Sequence, residues 1–216
     1  MNQAGRRRVV TVMSAASIVS LVFGLSCCSA GNGNERADER MSDVASSSSP
    51  TADVEPDDVM VADVAPGLTL EVSADAAVRM PQQDYDGRWV TSYDVADERA
   101  PYTVIVEYYE PGVKNASEVL ATELETFELQ GASEGDIAQT TVQVSGSYEA
   151  YRLDWTQRAE VPWSAEDTTE IEVECAAIIF DGQDGYTYAV YTAGDSTSEA
   201  SLTAVASVIE SIEVGQ

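Results

Sequence analysis

Histidine is absent from the 216 residues. That removes Ser-His-Asp and Cys-His nucleophilic arrangements and the commonest zinc ligand. Cysteine is scarce. Two of the three stand side by side as Cys27 and Cys28, so only Cys175 falls in the body of the chain. One thiol cannot build an internal disulfide framework, and the body must stand on its hydrophobic core. Positive charge is scarce too. Eleven Lys and Arg face 38 Asp and Glu, a formal net charge of −27. Nucleic-acid binding needs basic residues to neutralise phosphates, and polybasic attachment to anionic headgroups needs the same, so both are excluded. The acids are spread rather than blocked, which suits a solvated surface; the same field attracts cationic partners. Only one long apolar run occurs, and no internal repeat is evident.

That run belongs to the opening, "MNQAGRRRVVTVMSAASIVSLVFGLSCC". Arg6, Arg7 and Arg8 precede an uncharged stretch from Val9 to Leu25, and small residues and cysteine follow. Positive, apolar, small-residue site is the order of an export signal. The run reaches the lower limit for spanning a bilayer, roughly 17 residues, and is diluted by serines, so a retained transmembrane helix is the alternative. Removing the leader takes three of the eleven basic residues and none of the 38 acids, leaving −30. "RRRVV" also has the form of a minimal twin-arginine signal, beside general secretion as the default route.

The end of the run, "GLSCCS", resembles the lipobox of bacterial lipoproteins. There a cysteine after a short apolar and small-residue tract is acylated through its thiol and becomes the mature N-terminus. The resemblance implies Cys27 as the acylated residue, because Ser26 supplies the small side chain before the cut. Cys28 is the alternative, with Leu25 better placed but Cys27 at the cut. It further implies a lipid-anchored protein, palmitate among its acyl groups, on the extracytoplasmic face of the cell membrane.

Residues 29–65 are rich in serine, proline, glycine and acids and carry no aromatics. Such a segment buries too little apolar surface to offset its ordering entropy, so 27–65 is expected to be a disordered tether after a signal peptide over 1–26. From residue 66 the character changes. "GLTLEVSA" alternates Leu68, Leu70 and Val72, and "GRWVTSYDV" and "PYTVIVEYY" are rich in β-branched and aromatic residues. "NASEVLATELETFELQG" predicts a helix with Asn115 and Glu118 in a capping box, Val119, Leu120, Leu124 and Phe127 on one side, and Gly131 at its end. Three or four strands follow. In "TEIEVECAAIIF", Ile171 to Ile179 alternate on one face while Ala176, Ile178 and Phe180 fill the other, which predicts burial on both sides. "DGQDG" reads as a hairpin turn. "STSEASLTAVASVIESIEV" predicts a last helix with Ser196 and Glu199 as capping box and Leu202, Val205, Ile209 and Ile212 as core stripe. Strands, helix, strands, helix with hairpin-length connections predict an α+β domain over 66–216, an antiparallel sheet with helices packed on it.

The segments "GLTLEVSADAAVRMP", "NASEVLATELETF", "VSGSYEAYRLDW", "AAIIFDGQDGYTYAVYTAG" and "ASLTAVASVIESIEV" together resemble the PsbP-like domain of bacterial LpqN/LpqT-type lipoproteins. Many members carry Pro-x-x-Trp after the first strand, whereas here Pro81 is followed only by Trp89. The resemblance implies an α/β/α sandwich and a non-catalytic binding or accessory module of the cell envelope. Its expected partners are the membrane, through the lipid, and an envelope protein or cell-wall component; no cofactor is expected.

The remaining chemistry is thin. Cys175 lies in the most apolar strand, where a thiol is an inert packing residue. With 38 acids, chance carboxylate pairs are plentiful, so none marks a glycosidase. Asp181 and Asp184 resemble part of a calcium loop but lack its later ligands. The aromatics Tyr148, Tyr151, Trp155, Tyr186, Tyr188 and Tyr191 fall in strands, by default in the core. No catalytic or metal-binding residue is assigned. A carrier of a small apolar ligand is the alternative function, and a carboxylate enzyme the weakest.

Overall fold

The computed structural model describes residues 59–84, 86–132, 135–164 and 168–215. The expected export signal, Cys27, Cys28 and most of the expected tether lie outside them. Five strands come first: β1 (Val59–Ala65), β2 (Leu68–Ser73), β3 (Ala77–Gln83), β4 (Arg88–Val95) and β5 (Tyr102–Tyr109). Helix α1 (Ala116–Leu129) leads to β6 (Ile137–Val142), β7 (Ser147–Glu160), β8 (Glu170–Gly182) and β9 (Thr187–Asp195). Helix α2 (Glu199–Glu210) and β10 (Glu213–Val214) close the chain. No helix among the described residues is long and apolar enough to cross a membrane.

Seven strands form one sheet in the order β3-β4-β5-β9-β8-β7-β6, every neighbouring pair antiparallel. The other three form a small sheet, β1-β2-β10. The large sheet is apolar on both faces, as the double alternation in β8 predicts. On one face Val173, Cys175, Ala177 and Ile179 meet Val119 and Leu120 of α1. On the other, Ile178 and Phe180 meet Leu68, Leu70 and Val72 of β2 and Val205 and Val208 of α2. The expected α+β class, an antiparallel sheet with helices packed on it, is the observed one.

Three local expectations are corrected. Strand β1 runs over Val59–Ala65, within the stretch assigned to the tether. Ala62 and Val64 of β1 point into the core while Val59 and Val61 face out. Their alternation is masked in the sequence by flanking acids. Residues Pro66 and Gly67 join β1 to β2, with Gly67 at φ +72° as the third position of a type II turn requires. The cap of α2 is Ser198, accepting from Ser201 N, not Ser196. Of the expected stripe, Val205 and Ile212 are buried and Ile209 packs against the same core, but Leu202 is only half-buried and its place is taken by Ser201 and Val208. The helix starts later than the Ser196 cap implied. In α1 the capping box of Asn115 and Glu118 forms as expected. Gly131 follows the helix at φ +89°.

Candidate functional site

Two places combine polar chemistry with burial. The first lies between α1 and the large sheet. Residues directly opposite in an antiparallel ladder share a face. Arg88 stands opposite Tyr109, which is opposite Thr187; two residues along, Glu107 is opposite Ala189, and two further Ile105 is opposite Tyr191. Arg88, Tyr109, Glu107 and Tyr191 therefore all face α1, which brings down Glu123. Glu107 is only 4 % exposed and Glu123 only 6 %.

Arg88 links the cluster. Its Nε donates to Asp84 Oδ2 at 2.6 Å and its Nη1 to Glu107 Oε1 at 3.0 Å. Asp84 also accepts from the backbone N–H groups of Asp86 and Arg88. Burial works against the Asp84 charge, but Arg88 holds its carboxyl below the ordinary value. Burial pushes Glu107 the other way, up to about 7, against the pull of Arg88 and with the help of the Glu123 charge. Glu123 is raised by burial as well. Burial, then Glu107 and Glu123, drive the Tyr191 phenol far above its usual range. Neither Glu107 Oε2 nor Tyr191 Oη makes a hydrogen bond of normal geometry with another protein atom. Lys114 caps the margin, its Nζ 5.2 Å from the Tyr109 ring centre.

A carboxyl tuned near neutrality is what a general acid or base needs. Structural ion-pair networks produce the same tuning. Here the geometry favours the second role, since α1 covers Glu107 and Glu123 and leaves them almost no solvent contact.

The second place opens on the opposite face. A cleft of about 310 Å³ lies between the end of α2 and the β6–β7 connection. It is lined by the apolar Val142, Val144, Ile178, Ile209 and Ile212 and by the polar Gln143, Ser145 and Glu210. β10 fixes its shape. Val214 N donates to Ser145 O at 2.9 Å, and Gly215 N to Gly67 O at 2.7 Å. The volume is at the small end of typical ligand sites.

Of the residues singled out in the sequence, Tyr191 joins the acid cluster and the others fall elsewhere. Cys175 is buried under α1, and burial pushes its thiol up to about 12, so little thiolate forms at neutral pH. Asp181 and Asp184 serve the fold: Asp181 Oδ1 accepts from Ala116 N at 2.9 Å and from Thr187 Oγ1 at 2.7 Å. Tyr188 Oη lies 2.5 Å from both Asp184 Oδ2 and Pro66 O, and its one proton serves one of them at a time. The aromatics divide between faces. Tyr188 is core on the α2 side, Trp155 and Tyr191 on the α1 side, and Tyr148 is 72 % exposed.

Sequence reasoning passed over Asp84, Arg88, Glu107 and Glu123. Two signals were available. Glu107 interrupts the apolar run "YTVIVEYY", and Glu123 is four residues after Val119 and three after Leu120, on the helix face that must be buried. Compared with known proteins, the chain matches no family model and no curated protein.

Proposed function

We propose that this chain is a lipid-anchored lipoprotein of the cell envelope, and that its α+β body is a non-catalytic binding module of the PsbP-like type. The observation that carries the binding reading is the separation of the two places. Carboxyls tuned by burial are closed under α1, while the cleft on the other face offers apolar walls and only Glu210 as an ionisable group. An opening of that kind can hold a ligand against its apolar side chains. An antiparallel sheet with α1 on one face and α2 on the other agrees with the PsbP-like sandwich.

The anchor reading rests on the sequence, on Ser26-Cys27-Cys28 at the end of the apolar run. Each buried methylene contributes about 0.8 kcal/mol, and more than one acyl chain gives stable attachment. Phase partitioning with intact-mass measurement tests it. Wild type is expected in the detergent phase with lipid mass on one cysteine. Cys27→Ala with Cys28→Ala is expected as a soluble or unprocessed form, and Cys175→Ala as unchanged. A wild-type mass without lipid rejects the anchor.

The cleft favours a second reading, a carrier of a small apolar ligand. Solvent extraction of protein isolated from native envelope, with mass spectrometry of the extract, checks it. A molecule recovered from wild type and lost from Ile209→Gln supports the carrier. An empty extract supports the protein-binding module.

A further inference from the structure

The edge of the cleft carries a charge that helix stability does not account for. Glu210 is the last residue of α2, at the negative end of the helix dipole, where a carboxylate is disfavoured and a lysine or arginine is the stabilising choice. Glu213 follows three residues later. Among the described residues neither acid stands in an ion pair. The cation opposite Ile178 in the β7–β8 ladder is Arg152, and Asp154 holds it with contacts of 2.7–2.9 Å. The cleft that Ile178, Ile209 and Ile212 help to line therefore includes a carboxylate, Glu210, that no ion pair among the described residues compensates, in a chain of net charge −27. Apolar walls recognise an alkyl or similarly apolar body; the carboxylate beside them recognises a positive head and repels a negative one.

We propose that the cleft binds a cationic amphiphile, its apolar chain against Ile178, Ile209 and Ile212 and its positive head against Glu210. This rests on the carrier reading and adds the class of ligand. Glu210 then serves as the specificity residue, and its cost to the helix end is offset only when the head is bound.

The test uses the full chain in lipid nanodiscs, with empty nanodiscs as reference. It is titrated separately with hexyltrimethylammonium, hexyl glucoside and hexyl sulfate. Calorimetry reads affinity, and hydrogen exchange of residues 142–145 and 209–213 reads location. A six-carbon chain is expected to bind with an affinity of about 1 mM. At low ionic strength the ammonium probe should bind about three- to fivefold more tightly than the glucoside, the scale of an exposed ion pair. The sulfate should bind most weakly, and the preference should shrink as salt shortens the screening length. Glu210→Gln should erase the preference of ammonium over glucoside. Glu199→Gln makes the same charge change at the other end of α2 and should keep it. Equal binding of ammonium and glucoside, or a preference that survives Glu210→Gln, overturns the proposal and leaves the carrier reading standing. Three probes that all fail to protect 142–145 and 209–213 overturn both.

Discussion

At Glu107 the folded chain keeps a proton that the unfolded chain gives up. Its carboxyl releases that proton near pH 7 in the fold, against 4.5 for an unperturbed glutamate. A group whose pKa is raised on folding makes the fold less stable as pH climbs through that window. From about pH 4.5 to 7 the loss attributable to Glu107 is about 3 kcal/mol. Asp84 acts in the opposite sense: its folded value is lowered below 3.8, so its contribution is present above that pH and lost beneath it. Stability should therefore peak near pH 4–5 and fall toward neutrality. Urea midpoints measured from pH 3 to 8 check this, and Glu107→Gln should flatten the slope above pH 5. Gly146 supplies a second test at this scale. It sits at φ +75°, and a Cβ there would strike the Val214 carbonyl. Gly146→Ala should cost about 2 kcal/mol or more, with faster exchange of Val214 N–H as the local sign.

Helix α2 is fixed by a cap and a buried serine. Ser201 Oγ donates to Pro101 O and accepts from Asp195 N at 2.9 Å, which ties the first turn to β9 and to the β4–β5 connection. Ser198→Ala should cost about 1 kcal/mol in thermal or denaturant unfolding. Ser196→Ala should cost less, since its hydroxyl makes only an exposed bond to Glu172 O. The pair also illustrates what was legible. "STSEASL" offers two serines ahead of the helix, and the capping-box spacing favours the wrong one, because the choice depends on how the chain leaves β9. α1, where one asparagine and one glutamate are available, is read correctly to its cap and its terminal glycine. The strands of the large sheet are legible because both faces of β8 are apolar over a long run. β1 is not, because its burial depends on β2 and the rest of the core beneath it. The acid cluster joins β4, β5, α1 and β9, a proximity that residue spacing does not encode. The two sheet edges differ as well. β3 carries Arg79, Pro81 and a register shift between Arg79 and Gln82, all of which discourage pairing. β6, "IAQTTV", has no charge, no proline and an unshifted register with β7. Thr140→Lys should slow aggregation of warmed protein, followed by light scattering, and Val78→Lys on β3 should change it little.

For the molecule as a whole, 38 acids against eleven bases mean self-repulsion in the compact state. Added sodium chloride should raise the unfolding midpoint at neutral pH, since screening relieves that repulsion and the few ion pairs have little to lose. Lower pH should act in the same direction as salt, because protonating carboxyls raised by burial, such as Glu107, removes negative charge, until the lowered Asp84 carboxylate protonates as well. The small sheet adds a consequence of another kind. Val59, where the described chain begins, is paired with Ser73, the residue that leads into the rest of the body, and the hairpin turn lies at the far end. A pull arriving through residue 58 is thus applied across the open end of the β1–β2 hairpin. Its rungs bear the load one after another instead of together, so β1 peels at low force. Peeling removes Ala62 and Val64 from the core while both helices and the large sheet keep their own packing. If the proposed lipid anchor tethers the chain, the first strand acts as a mechanical fuse: it lengthens by a few residues under tension and zips back when the load is released.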